Sequence, residues 1–78
     1  MKLTFFGRLR EVVGAGEIDR FPTANVVDCE SLRMWIGAEF PALLDAKVRI
    51  ALDDVIASGA APIKGVREVA FLPPVSGG

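Results

Sequence analysis

At 78 residues the chain has room for one domain with a single small core, and it buries only about 60% of the surface that its unfolded form exposes. It contains no His and one Cys, which excludes the commonest general base, an internal disulfide, a zinc cage and a four-thiolate iron–sulfur site. Nine basic against ten acidic residues give a formal charge of −1, too little for the electrostatic footprint of a nucleic-acid binder.

Lys2-Leu3-Thr4-Phe5 alternates polar and apolar residues, the period of a half-buried strand, and Gly7 closes it. Leu9, Val12 and Val13 then recur at i, i+3 and i+4, which predicts a short helix from Arg8 to Val13 with an apolar stripe. Gly14-Ala15-Gly16 stops that helix. Ile18 and Phe21 are weak strand signals ahead of Pro22.

The strongest periodicity follows. Asp28 is a good N-cap for a helix carrying Cys29, Leu32, Trp35, Ile36 and Phe40 on one face, with Glu30 and Arg33 placed to pair on the other. Pro41 disfavours helical geometry at Phe40, so the helix should end near there. Val48, Ile50 and Leu52 alternate with Arg49 and Ala51 as a strand. Asp53-Asp54 reads as a turn into a second short strand, Val55-Ile56-Ala57. Ser58 to Lys64 is loop-like. From Arg67 to Leu72 the alternation returns, with Val69 and Phe71 on one face and Ala70 and Leu72 on the other.

One amphipathic helix among five strands must bury its stripe against a mixed sheet, an α+β two-layer arrangement. The β-grasp fits this order of elements, with a domain over residues 1–72. No uncharged run is long enough to span a membrane, the N-terminus has no signal-peptide pattern, and without a disulfide the chain is expected to be cytoplasmic.

Residues 73–78 have a different character. Pro73 and Pro74 favour an extended path away from the sheet, whereas Gly77 and Gly78 carry no side chain and let the backbone enter a narrow space. Val75 and Ser76 lie between them, and the six residues reach about 20 Å when extended. A stiff stem with a thin flexible tip suits a main-chain carboxylate delivered into another protein's active site. Taken alone, a closing Gly-Gly is a weak signal, since frayed termini and cloning scars look the same.

Val69-Ala70-Phe71-Leu72-Pro73-Pro74-Val75-Ser76-Gly77-Gly78 resembles the closing motif of the molybdopterin synthase small subunits, the MoaD-type ubiquitin-like sulfur carriers. Leu3-Thr4-Phe5-Phe6-Gly7-Arg8-Leu9-Arg10-Glu11-Val12-Val13-Gly14 is similar to that family's first strand and helix. The resemblance implies a β-grasp fold and a defined chemistry. An ATP-dependent activating enzyme of the ubiquitin-activating type, an adenylyltransferase, adenylates the Gly78 carboxylate. Sulfur then replaces one oxygen to give a thiocarboxylate. The loaded tail supplies sulfur to cyclic pyranopterin monophosphate in the large subunit, forming the molybdopterin dithiolene within a heterotetramer. On this reading the chain binds no cofactor, ATP is used by the activating partner, and the catalytic residues belong to the large subunit.

The sequence departs from the family at Lys64-Gly65-Val66-Arg67-Glu68, where an acidic turn is usual. Two related readings remain: a thiamine-type sulfur carrier, which also ends in Gly-Gly but whose tail lacks the Pro-Pro-Val stem, and a ubiquitin-like modifier joined through Gly78 to lysines. A third class is an interaction module with an inert terminus.

Other residues have plainer readings. Cys29 and Trp35 lie on the apolar stripe as core residues rather than as a sulfur relay and a stacking platform. Asp53-Asp54 is expected to be a solvated turn rather than a cation site. Lys2, Lys47 and Lys64 read as ordinary surface lysines. Leu72, facing away from Val69 and Phe71, is expected to lie exposed at the tail root and to join Pro73, Pro74 and Val75 in a partner interface.

Overall fold

The structure, a computed structural model, describes residues 1–74. The expected tail residues Val75, Ser76, Gly77 and Gly78 lie outside the described residues. Five strands form one sheet: β1 (Lys2–Phe5), β2 (Glu17–Asp19), β3 (Arg49–Leu52), β4 (Val55–Ala57) and β5 (Glu68–Leu72). Two α-helices, α1 (Leu9–Val13) and α2 (Cys29–Gly37), and a 3-10 helix (Pro41–Leu44) complete the elements. The sheet order is β2-β1-β5-β3-β4. β5 therefore occupies the centre, parallel to β1 and antiparallel to β3.

Alternation decides which face of the sheet is buried. Leu3 and Phe5 of β1, Val69 and Phe71 of β5, and Ile50 and Leu52 of β3 all join the core cluster with Cys29, Leu32 and Ile36 of α2. The Phe5 and Phe71 rings stack at 5.2 Å between centroids and 14° between planes, which locks the register of the two outermost segments of the chain. This is the mixed α+β sheet on one main helix that the sequence predicts.

α2 begins where expected. The Asp28 carboxylate accepts the Ser31 backbone N–H at 2.8 Å, and the Ser31 hydroxyl accepts the Asp28 N–H at 3.1 Å, a reciprocal capping box. The helix ends earlier than Pro41 alone implies, at Gly37, and the chain tightens into the 3-10 helix, which the periodicity did not indicate. Gly37 is buried directly beneath Leu44, leaving no room for a Cβ. That close approach is what lets the 3-10 helix pack back onto α2.

Several other expectations need correction. Val12 is 44% exposed, so the stripe of α1 is carried by Leu9 with Val13 partly buried. A helix of five residues is too short to turn two valines inward. Phe21 is 87% exposed and lies beyond β2. Arg33 does not pair with Glu30. It donates to the carbonyls of Leu43 and Asp45, at 3.2 and 2.9 Å, and so ties α2 to the 3-10 helix. Ala51 is buried although it alternates with core residues, because its short side chain lies between the flanking strands β4 and β5.

Candidate functional site: the tail root and the open face of the sheet

The site is built on β5. β5 is bonded to β1 on one edge and to β3 on the other, so the tail root is anchored in the interior of the sheet. Leu72 is the last paired residue, opposite Arg49 of β3. On the β1 side the ladder runs one bond past Phe5, with the Phe6 N–H donating to the Phe71 carbonyl at 3.1 Å. Pro73 and Pro74 then offer no N–H, and the pairing stops on both sides at once. Both prolines are half-buried. Leu72 is also half-buried rather than fully exposed, because strands flank it on both sides.

The face of the sheet away from α2 carries a row of small residues in register: Thr4 beside Ala70, Ala70 beside Ala51, and Ala51 beside Ile56. Cross-strand partners share a face, so this row runs from β1 to β4 without a large side chain until Ile56, which is 48% exposed. Phe6, just past β1, is 38% exposed. Thr4 Oγ1 is, among the described residues, the one buried side-chain polar atom with no hydrogen-bond partner. The result is a strip of small residues set between the Lys2–Glu68 ion pair on one side and Leu72 and Arg49 on the other, next to the tail root.

The turn that departs from the resemblance has a defined conformation. Gly65 has φ +80°, and the Val66 N–H closes the turn on the Ile63 carbonyl at 3.0 Å. Lys2, next to the entrance of β5, is held by Glu68 and Glu17 at 3.3 and 3.4 Å, and hydrogen bonding to Glu68 and then Glu17 raises its pKa.

Asp53 is more than the solvated turn residue that the sequence predicts. Its carboxylate is exposed, yet it accepts the backbone N–H groups of Arg67 and Glu68. No local pattern reveals this, since the partners are 14 and 15 residues away.

Cys29 is 1% exposed, and burial pushes its thiol pKa up. A protonated, enclosed thiol is a poor nucleophile, so the packed-core reading fits the geometry. Trp35 is partly buried against the core. Among the described residues no helix is long and apolar enough to cross a membrane.

Comparison with known proteins decides the family. The model of the ThiS family matches residues 3–78. The chain belongs to the ThiS family. It is 35% identical to the molybdopterin synthase sulfur carrier subunit of Escherichia coli, over an 85-position alignment that covers the whole chain and 99% of that relative. Two solved structures share the fold. One is SAMP1 from Haloferax volcanii, with a TM-score of 0.77 and 21% identity, covering 99% of this chain and 97% of that one. The other is molybdopterin converting factor, subunit 1, from Pyrococcus furiosus, with a TM-score of 0.75 and 22% identity, covering 95% of each chain. The β-grasp, ubiquitin-like architecture expected from the order of elements is therefore the architecture of the chain, and the likeness to molybdopterin synthase small subunits holds over its full length.

Proposed function

We propose that this chain is the sulfur-carrier subunit of a molybdopterin synthase, working in the cytoplasm with a large catalytic subunit in a heterotetramer. The observation that carries the reading is the full-length 35% identity to the Escherichia coli carrier, joined to a terminal Gly77-Gly78 on a Pro73-Pro74-Val75 stem. That stem also favours this pathway over a thiamine-type carrier.

The chemistry follows from what the residues lack as much as from what they provide. A carboxylate is a poor electrophile until it has a leaving group. An ATP-dependent adenylyltransferase supplies one by joining the Gly78 carboxylate to AMP and releasing pyrophosphate. A sulfur nucleophile then displaces AMP, leaving a C-terminal thiocarboxylate. The thiocarboxylate sulfur attacks a side-chain carbon of cyclic pyranopterin monophosphate in the large subunit, displacing an oxygen leaving group and forming an acyl thioester. Water then breaks the acyl C–S bond, which releases the carrier as a carboxylate and leaves the sulfur on the pterin. Glycine at the last two positions lets the reacting atoms approach closely. The chain has no His to act as a general base, so proton transfers fall to the partners. The carrier contributes a rigid platform, a docking face and an unobstructed carboxylate.

Intact mass spectrometry after incubation with the activating enzyme, ATP and a sulfur source tests the reading. Replacement of one terminal oxygen by sulfur, lost when Gly78 is deleted, is the expected result. An unmodified mass under those conditions overturns it. Gly78-linked adducts on lysines of many proteins would instead point to a protein modifier.

A further inference from the structure

At the exit of β5 the tail meets the first turn of the chain. Gly7 has φ +55°, and a Cβ built on it would lie 2.9 Å from Cγ of Pro73 and 3.9 Å from Pro73 Cβ. The first distance is well inside van der Waals contact. The turn that holds Gly7 is fixed from several sides. The Phe6 N–H donates to the Phe71 carbonyl at 3.1 Å, the Leu9 N–H to the Phe6 carbonyl at 3.1 Å, and the Arg10 N–H to the Gly7 carbonyl at 3.2 Å. The Arg10 guanidinium also donates to the Phe5 carbonyl at 3.1 Å. Gly7 thus presents a bare backbone surface on a turn that cannot easily yield.

Pro73 is the opposite case. Lacking an N–H it drops out of both ladders, and its half-buried ring sits against Gly7. The ring is closed onto the backbone, so displacing Cγ turns the backbone with it. From Pro73 to Gly78 an extended chain spans about 15 Å. Once a partner holds the tail extended, a turn of roughly ten degrees at the root would shift the terminal group by up to about 3 Å. Misplacement of about 1 Å at a reacting centre costs up to about 100-fold in rate.

We infer that Gly7 is a positioning residue for the terminal carboxylate: its missing side chain seats Pro73 and thereby sets the direction in which the tail leaves the sheet. The consequence for sulfur loading rests on the sulfur-carrier reading, whereas the direction of the tail does not. Gly7 is needed for space at this contact as well as for its positive φ, and the two requirements are separable. Asn tolerates positive φ but carries a Cβ, and Ala at position 73 removes the Cγ that such a Cβ would strike.

The experiment compares wild type, Gly7→Asn, Pro73→Ala and the double variant, with thermal melts to establish folding. Initial rates of thiocarboxylate formation by the activating enzyme are measured across carrier concentrations. Gly7→Asn should lower kcat about tenfold and leave KM, which reports the docking face, within about twofold. The double variant should match Pro73→Ala alone, because the clash is gone. An unchanged kcat in Gly7→Asn, or losses that simply add in the double variant, overturns the inference. A second readout is paramagnetic broadening from a nitroxide on Ser76→Cys, a label the enclosed Cys29 does not compete for. The set of broadened amides should move in Gly7→Asn, and an unmoved set overturns the inference. If wild type is never loaded but the broadening moves, the carrier reading falls and the positioning role stands. Should Gly7→Asn fail to fold, Pro73→Ala takes its place: it should move the broadening pattern and lower kcat about threefold, and no change in either overturns the inference.

Discussion

Asp53 and Glu68 hold each other in both directions. The Asp53 N–H donates to the Glu68 carbonyl at 2.9 Å, and the Asp53 carboxylate accepts the Glu68 N–H at 2.9 Å and the Arg67 N–H at 3.0 Å. The tip of the β3–β4 hairpin is thereby latched to the entrance of β5, the end opposite the tail. Asp53 and Asp54 both have positive φ, 46° and 70°, the conformation of a two-residue turn whose twist matches its strands.

Replacing Asp53 separates these contributions. Asp53→Ala should cost about 2 kcal/mol, roughly half from lost hydrogen bonds and half from left-handed backbone strain. Asp53→Gly removes the strain and should cost about 1 kcal/mol. Urea unfolding midpoints measure both, and wild-type stability in Asp53→Gly would mean that the latch contributes nothing.

Cys29 should resist alkylation in the folded chain and react at the unfolding rate. Burial raises its pKa, so the fold favours the protonated thiol. That stability is fully present below the unfolded thiol's pKa of about 8.5 and is lost as pH rises toward the folded value. Cys29→Ala should cost about 1–2 kcal/mol at neutral pH and should flatten the decline of stability above pH 9. The same slope in both proteins would assign the decline to another group.

The capping box gives a pH dependence of opposite sign. Hydrogen bonds from the Ser31 side chain and then from its backbone lower the Asp28 pKa. The cap therefore stabilises the fold above the ordinary Asp value, near 3.9, and is lost as pH falls through the lower folded value. Asp28→Ala should melt at a lower temperature than wild type at pH 7, with the gap closing in acid. Asp28→Asn, still a good cap, should retain most of the stability and lose the pH dependence.

The open face of the sheet predicts a binding phenotype that outweighs any folding one. On the sulfur-carrier reading, Ile56→Glu on β4 and Leu72→Glu at the tail root should each weaken association with the proposed large subunit at least about tenfold, or about 1.4 kcal/mol. Calorimetric titration measures the affinity. Ile56→Glu should leave the melting temperature nearly unchanged, whereas half-buried Leu72→Glu should lower it somewhat. Wild-type affinity in both would remove this face from the interface.

Most of the framework is visible in local patterns. The two-residue alternation of Lys2–Phe5 and of Arg67–Leu72, the helical spacing from Cys29 to Ile36, the cap at Asp28 and the turn at Asp53-Asp54 all depend on neighbours within a few residues. The errors share a cause as well. Periodicity alone places Val12, Phe21, Arg33 and Leu72, but their exposure and partners depend on how far an element extends and what lies across from it. The 3-10 helix has no periodic signature, because it exists where Leu44 finds space above Gly37.

By itself the sequence determined the α+β class, the order of the strands and α-helices, and which residues stand at the C-terminal end, Pro73-Pro74-Val75-Ser76-Gly77-Gly78, in a chain with no His and one Cys. The tertiary structure alone decided what holds the strand that bears this end. Pairing β5 between β1 and β3 brings Asp53 to its entrance and Gly7 to its exit, from positions 15 and 66 residues away in the chain. Such contacts leave no local trace, because burial of one continuous apolar face selects the strand order, and only that order creates them.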